Sequence, residues 1–220
     1  MNYIAVLDHD HLDNNLFLKA FADAISRQRN VKGIILHGDS AYTDRIIQTG
    51  VMREDARFRS TRELNTRLIA LLADSGVPAI GVNGYQKEII SYDSDTDQLT
   101  IKKSFFDSIP GQTFLVLSNL IHIKNSKSPQ AFPLTKLAVS LQSELDFEEL
   151  FAFKKSEEDE VMIKNDLPER LNWNDLDENF KNEHVPNDLT DLNKTFNLVT
   201  SRSFMKVPDN SKFTKIIFEP

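Results

Sequence analysis

The order of apolar segments along the chain is the feature that most restricts its fold. Five short apolar runs have the length and composition of buried strands: residues 3–7, 34–36, 77–82, 113–117 and 150–153. Between several of them, apolar residues recur with helical spacing, as in residues 12–25 and 64–72. Strands that alternate with helices are joined by right-handed crossovers, which produce a mainly parallel sheet covered by helices. The sequence therefore predicts an α/β fold, a three-layer sandwich in which these five strands are neighbours in a mainly parallel central sheet.

Further local signals predict the elements around this core. Residues 88–92 and 98–102 flank a polar stretch and predict a β-hairpin. Residues 60–63, Ser-Thr-Arg-Glu, fit a capping box and predict the start of the helix that carries Leu64. Later in the chain, the pattern predicts helices at residues 134–145 and 171–180 and strands at residues 198–200 and 213–218.

Charge is unevenly distributed along the 220 residues, a length that suits one large domain or two lobes that share a core. Residues 156–192 contain 12 acidic and 3 basic residues and carry a net charge of −9, whereas the remaining 23 basic and 21 acidic residues give +2. A negative surface repels a phosphate backbone, so we expect no nucleic-acid partner. We interpret residues 156–192 as a solvated acidic cover.

Composition excludes several classes of protein. The chain has no cysteine, which excludes disulfides, thiolate nucleophiles and Cys-ligated zinc. Its apolar runs are too short to cross a bilayer, so no membrane partner is expected. The first ten residues do not have the pattern of a signal peptide, and we therefore expect a cytoplasmic protein.

Three strings, taken in order, carry a family resemblance: residues 34–38 (Ile-Ile-Leu-His-Gly), residues 58–61 (Phe-Arg-Ser-Thr) and residues 65–84. Together they resemble the amino-acid kinase family, and acetylglutamate kinase in particular. The first resembles that family's strand ending in His-Gly-Gly-Gly, and the second its Leu-Arg-Val-Thr string, whose arginine binds the substrate carboxylate. The third resembles its helix that begins Asn-Lys-x-Leu and the strand after it. The resemblance covers residues 1–153 and implies a substrate-binding lobe in residues 1–110 and a reduced nucleotide-type lobe in residues 111–220.

The departures from the family pattern concern phosphoryl transfer. Where the family has Lys-x-Gly-Gly after the first strand, residues 6–9 read Val-Leu-Asp-His. Of three loop glycines only Gly38 is present, followed by Asp39 and Ser40. The family's Asn-x-Asn-Ala-Asp string falls on residues 131–135, Ala-Phe-Pro-Leu-Thr, and its Thr-Asp-x-x-Gly string near residues 154–157, Lys-Lys-Ser-Glu. Most of the family's catalytic motifs are therefore missing. Because phosphoryl transfer depends on positioned positive charge, these departures oppose catalysis.

Three functions follow as alternatives. The first is a degenerate acetylglutamate-kinase-like protein that binds a small anionic metabolite or a partner without efficient phosphoryl transfer and without a cofactor. The second is an active kinase that uses ATP and Mg²⁺ to phosphorylate a carboxylate, such as that of an N-acyl amino acid, with Lys124, Lys127 or Lys136 as relocated cations. The third is a metal-dependent hydrolase that uses His9 and His11, since imidazole is a common zinc ligand.

The resemblance also implies the residues of the binding site. The substrate-binding residues would be Arg59, Gly38, Asp39, Ser40 and Asn65. For Arg59 the alternative is a solvated surface position, as for the other arginines of residues 53–67. His37 is expected to be a buried structural histidine. For residues 9–14 the alternative to a metal site is a polar loop in which Asp10 or Asp13 caps the first helix. A homodimer is compatible with the sequence.

Overall fold

The computed structural model describes residues 1–155, 167–207 and 213–218. In these ranges the strands are β1 (Asn2–Leu7), β2 (Lys32–His37), β3 (Ala79–Asn83), β4 (Ile90–Asp93), β5 (Gln98–Ile101), β6 (Phe114–Ser118), β7 (Leu120–Ile123), β8 (Gln130–Ala131), β9 (Glu149–Phe153), β10 (Arg170–Asn172), β11 (Phe196–Val199) and β12 (Thr214–Ile217). The α-helices are α1 (His9–Asp13), α2 (Asn15–Arg27), α3 (Tyr42–Gln48), α4 (Arg53–Asp74), α5 (Lys103–Asp107), α6 (Leu134–Glu144), α7 (Glu178–His184) and α8 (Ser201–Phe204). Short 3-10 helices lie at Gln86–Glu88, Trp173–Asp175 and Asn187–Leu189.

The main sheet has eight strands in the order β10-β12-β11-β9-β1-β2-β6-β3. Its pairs are parallel except for β11 and β12, which are antiparallel. The five strands predicted from sequence are β1, β2, β3, β6 and β9, and they are parallel neighbours, so the predicted sheet and the α/β class are confirmed. A smaller sheet has the order β5-β4-β7-β8, and its antiparallel β4–β5 pair confirms the predicted hairpin.

Helices cover both faces of the main sheet, and alternate residues of each strand face opposite cores. On β1, Ile4 and Val6 pack in one core together with Leu137 and Leu141 of α6. Tyr3, Ala5 and Leu7 pack in the other core, which includes apolar residues of α2 and α4. Because both faces of β1 are covered, the strand is an almost continuous apolar run, which is typical of a central parallel strand.

The first predicted helix is divided in two by Asn14. This residue ends α1, and its side chain accepts a hydrogen bond from the backbone N–H of Phe17 at the start of α2. Asp8 caps α1 and accepts from the backbone N–H groups of Asp10 and His11. The expectation that Asp10 or Asp13 caps this helix is therefore wrong. The helix begins directly after β1, so Asp8 is the residue with the extended backbone that an N-cap requires.

The capping box predicted at residues 60–63 is also wrong, because α4 begins at Arg53 and runs for 22 residues. Acidic residues in the first turn, Glu54 and Asp55, favour a helix start there. Ser60 and Thr61 are buried inside the helix, and the Ser60 hydroxyl pairs with that of Thr43 on α3 at 2.5 Å. A helix of this length is about 33 Å long, more than the strands it covers, and its first turns extend past the sheet.

The predicted helix at residues 171–180 is wrong as well: the segment forms β10, a 3-10 helix and then α7. The side chain of Asn172 accepts from the Asn174 N–H, and that of Asp177 accepts from the Phe180 N–H. Such local side-chain bonds compete with a continuous helix. The strands predicted near residues 198–200 and 213–218 are present as β11 and β12. Residues 156–166 of the predicted acidic cover lie outside the described residues.

Within the described ranges, no helix combines the length and the apolar character that a membrane span needs.

Candidate ligand site at the carboxyl edge of the sheet

Polar residues follow the neighbouring strands β9, β1, β2 and β6 at the edge where these parallel strands end, which we call the carboxyl edge. Asp8 follows β1, Gly38 follows β2 and Asn119 follows β6. Open α/β sheets bind their ligands outside the carboxyl ends of the strands. This edge is therefore the candidate functional site.

Asp8 is buried at the end of β1 in an ionised form. Burial raises the pKa of its carboxyl group, but the charge of His11 and hydrogen bonds from His11 and Asp10 outweigh burial and hold the pKa below its usual value. The His11 ring donates to Asp8 through Nδ1, and its Nε2 lies 3.2 Å from the backbone oxygen of Lys154 after β9. Both ring nitrogens of His11 therefore have partners in the protein.

His37 is fully buried at the end of β2 and is neutral. Burial lowers its pKa to about 4, although the hydrogen bond to the Gly38 carbonyl opposes this decrease. Its Nδ1 donates to the Gly38 oxygen at 2.9 Å, and its Nε2 accepts from Nδ2 of Asn65 at 3.1 Å. The same Asn65 nitrogen lies 3.1 Å from the carbonyl oxygen of Val116 and 3.3 Å from that of Val82. The predicted site residue Asn65 thus joins α4 to the ends of three strands.

The loop predicted to bind substrate, Gly38-Asp39-Ser40, lies at the centre of the carboxyl edge. Oδ2 of Asp39 accepts from Nε of Arg57 at 2.9 Å. Ser40 is buried, and its hydroxyl oxygen accepts from the backbone N–H of Tyr42 at 3.2 Å. Gly38 has no positive φ angle, so its backbone does not require glycine.

The guanidinium beside this loop belongs to Arg57, not to Arg59. Successive residues of a helix are rotated by about 100° around its axis, so Arg57 and Arg59, two residues apart on α4, lie on nearly opposite sides of the helix. Arg57 faces Asp39, and Arg59 is exposed. Sequence reasoning missed Arg57 because it predicted that the helix begins at Ser60, whereas the helix begins at Arg53. With the helix continued to Arg53, the spacing of Arg57, Thr61 and Asn65 places all three on one face.

Asp188 reaches the same edge from the 3-10 helix Asn187–Leu189, and no local sequence pattern indicates this contact. Its Oδ2 accepts from the backbone N–H of His9 at 3.0 Å. The partial removal of this exposed carboxylate from water raises its pKa, and the charges of Asp8 and Asp39 add to the increase. Three carboxylates, those of Asp8, Asp39 and Asp188, therefore lie near one another at this edge.

Two buried polar atoms on elements of this edge have no hydrogen-bond partner among the described residues: Oγ1 of Thr61 on α4 and Oδ1 of Asn119 after β6. Nδ2 of Asn119 donates to the carbonyl oxygen of Phe132 at 2.8 Å, which fixes the orientation of the amide. A buried acceptor without a partner costs about 1–3 kcal/mol.

The residues of the other two functional alternatives lie elsewhere or are already engaged. Lys124 pairs with Asp93 on the smaller sheet at 2.6 Å, and Lys127 and Lys136 are exposed. In the described part of the chain, no group of three or more His, Cys, Asp or Glu side chains has the arrangement of a metal site. His9 and His11 belong to no such group.

Comparison with known proteins identifies the fold. The full chain superposes on an aspartate kinase from Synechocystis (TM-score 0.69, 11% identity) and on an N-acetylglutamate synthase from Neisseria gonorrhoeae solved with coenzyme A and N-acetyl-glutamate (TM-score 0.66, 16% identity). It spans 40% of the first protein and 60% of the second. An isopentenyl phosphate kinase matches over 98% of this chain and 100% of its own (TM-score 0.65, 11% identity).

These solved structures share the amino-acid-kinase fold, and the chain has this fold too, as its sequence predicted. At such low identity the likeness concerns the fold alone. No protein-family model matches the sequence, and no curated protein matches it.

Proposed function

We propose that this chain is a degenerate, acetylglutamate-kinase-like protein that binds a small anionic metabolite at the carboxyl edge without efficient phosphoryl transfer. The observation that carries the proposal is Asp8, a buried and ionised carboxylate at the end of β1. The resembled kinases have a lysine there, and its ammonium group offsets charge on the transferred phosphoryl group. A carboxylate in that place opposes the binding of a polyphosphate.

The groups that contact Asp8 and Asp39 do not restore the missing lysine. The ring of His11 is hydrogen-bonded to Asp8, and the guanidinium of Arg57 is paired with Asp39. Asp39 and Asp188 add further negative charge. We therefore expect neither ATP nor Mg²⁺ as a cofactor.

A small carboxylate nevertheless has a partner at this edge. Arg57 uses Nε on Asp39, and among residues 1–155, 167–207 and 213–218 its two terminal nitrogens have no partner, so they can bind a ligand carboxylate with paired hydrogen bonds. The family resemblance assigns this role to Arg59 instead, which is exposed two residues later. Its position beside Asp39 favours Arg57 as the residue that binds the ligand carboxylate, whereas the family resemblance favours Arg59.

Lysine variants of both arginines separate these assignments. Lysine keeps the charge but cannot form two parallel hydrogen bonds, so the variant of the binding arginine loses about tenfold in carboxylate affinity. Affinities for succinate and glutarate would be measured by calorimetry for Arg57→Lys and Arg59→Lys. Arg62→Lys, an exposed change on the same helix, is the matched control. If all three variants bind like the unmodified protein, neither arginine holds the ligand.

An active kinase is the second candidate, favoured by the likeness to two kinases and a synthase. Calorimetric titration with Mg-ATP distinguishes it, and we expect no binding in the millimolar range. A dissociation constant of about 0.1 mM or tighter, equivalent to about −5.5 kcal/mol, would contradict the proposed function. Native mass spectrometry of the purified protein would identify a ligand that it retains.

A further inference from the structure

An open groove separates α2 and α4 on the outer side of the helix layer that they form. It has a volume of about 490 Å³ and is lined by Leu18 and Leu71 together with polar and charged residues of both helices. Leu16, one turn before Lys19 on the same side of α2, is 60% exposed. An apolar strip with a charged rim is typical of a surface that contacts another protein.

The two helices beside this groove run in the same direction. Each begins at the carboxyl edge, where α2 follows β1 and Arg57 of α4 contacts Asp39, and each ends before a strand of the main sheet. The side chain of Arg67 donates a hydrogen bond to Oδ1 of Asn15, so these two residues lie at about the same level along the groove. Because a helix rises about 1.5 Å per residue, this contact fixes the levels of the residues that follow on both helices.

Charge changes sign along the groove in the same sense on both helices. On α2, Asp23 lies about 6 Å beyond Lys19, and on α4, Asp74 lies about 10 Å beyond Arg67. All four side chains are exposed. In the described part of the chain, Lys19, Asp23 and Asp74 form no ion pair. The groove therefore has a basic half towards the carboxyl edge and an acidic half at its other end.

This order of charges makes the groove complementary to a second copy of itself. When a two-fold axis in the plane of the face crosses both helices at nearly a right angle, each helix faces the same helix of the second copy, running in the opposite direction. The basic half of one groove then lies against the acidic half of the other. A two-fold axis along the helices would instead place Asp23 opposite Asp74 of the second copy, and this arrangement is opposed by repulsion.

We propose that the face formed by α2 and α4 is the interface of a homodimer. On α2, Lys19 pairs with Asp23 of the second copy, and on α4, Arg67 pairs with Asp74 of the second copy. The axis repeats each pair on either side of the apolar groove. This inference does not depend on the proposed function, because the face lies outside the carboxyl edge.

The size of the face sets the expected strength of the dimer. Helix α2 is about 20 Å long, and two helices side by side offer about 400 Å² per copy. Interfaces of this size are weak and reversible, so we expect a Kd on the order of 100 µM.

Sedimentation equilibrium of the unmodified protein measures this association, at concentrations from about 10 to 500 µM. Because salt screens exposed ion pairs, the dimer should be about tenfold weaker in about 0.5 M NaCl than in about 50 mM NaCl. A protein that remains monomeric at about 500 µM in the low-salt buffer would overturn the proposal.

Charge-reversal variants test the pairing on α2. Lys19→Glu sets two carboxylates against each other, and Asp23→Lys sets two ammonium groups against each other. Since the axis repeats each contact, either variant alone should dimerise about tenfold more weakly or worse. In a mixture of the two variants every contact again joins opposite charges, so we expect heterodimers as stable as the unmodified dimer. Mixing cannot restore an ion pair within a single helix, and the rescue is therefore specific to contact between copies.

A matched control and the unfolding of each variant complete the experiment. Lys136→Glu reverses an exposed charge on α6, which covers the other face of the sheet, and should leave association unchanged. Because Lys19 and Asp23 are exposed, their variants should unfold in urea like the unmodified protein. If both single variants dimerise as well as the unmodified protein, or if their mixture stays monomeric, the α2–α4 face is not the interface and the proposal is overturned.

Discussion

Two buried histidines lie at the carboxyl ends of adjacent strands, and their surroundings give them different roles. His11, near the end of β1, donates to the carboxylate of Asp8, while His37, at the end of β2, accepts from the amide of Asn65. Both side chains are almost inaccessible to solvent. The difference shows that this edge is stabilised by a hydrogen-bonded carboxylate and imidazole on one side and by a neutral hydrogen-bond network on the other.

This contrast decides where ligand chemistry is available. At β1, the carboxylate and the imidazole satisfy each other, and nothing is left for a substrate phosphate. At β2, His37 and Asn65 use their polar atoms on each other and on the backbone oxygens of Gly38, Val82 and Val116, so this half is uncharged. The amide of Asn119 borders Gly38 in the same half.

Asp8→Asn breaks the ionic half and has the largest expected effect. Asparagine still caps α1, so the change removes mainly the charge that His11 faces. Hydrogen bonds to a charged group contribute about 1.5–3 kcal/mol each, so weakening those of Asp8 should cost about 3 kcal/mol, which urea unfolding at pH 7 would measure. Asp10→Asn, two residues away and exposed, should change the free energy of unfolding by less than about 0.5 kcal/mol. Equal effects of the two changes would show that the pair contributes no stability.

Acid should destabilise the part of the edge that contains His37. The pKa of His37 is about 4 in the folded chain, below its ordinary value of 6.5. Between these values the unfolded chain binds a proton that the folded chain does not, so stability is lost as pH falls from about 6.5 to 4. The total loss is about 3 kcal/mol. Urea unfolding at pH 7, 5.5 and 4 would show a steeper decline for the unmodified protein than for His37→Gln. Parallel declines would assign the acid sensitivity to other groups.

Asn65→Ala tests the neutral network directly, because it removes the amide that donates a hydrogen bond to Nε2 of His37. The change leaves Nε2 of His37 and the carbonyl of Val116 without their donor, which should cost about 2 kcal/mol. Thr66→Ala, at the adjacent exposed position of α4, is the control. An NMR titration of the variant should also show the pKa of His37 changed from about 4, since its environment is altered. An unchanged titration and stability would mean that Asn65 is not the partner that holds His37.

The sequence predicted the core of the fold well because its central strands are buried on both faces. Such strands are continuous apolar runs, and the helices between them have a clear period. Helix boundaries were predicted less well. A serine-threonine pair is typical both of a helix cap and of small buried hydroxyls, and at Ser60 the second reading is correct.

The candidate site was predicted only in part. The loop Gly38-Asp39-Ser40 and the helix carrying Asn65 do lie together, because each follows or covers a strand of the predicted sheet. Asp188 contacts the N–H of His9 from 179 residues away in sequence, and Asn119 is exceptional only because its oxygen lacks a partner. Neither property is local, so no pattern in the sequence indicates it.

Gly38→Ala has the smallest expected effect on the fold. The residue has a negative φ, and the added methyl group would meet its nearest neighbour, Asn119 Nδ2, at the ordinary contact distance of 3.5 Å. Alanine also reduces the freedom of the unfolded chain, so the free energy of unfolding should stay the same or rise by up to about 1 kcal/mol. Urea unfolding at pH 7 measures this change. Gly111→Ala, at a position with no neighbouring atom within 4 Å, is the control for the effect of a methyl group that meets nothing. A Gly38→Ala protein that unfolds more easily than the unmodified protein would show that the loop after β2 requires glycine.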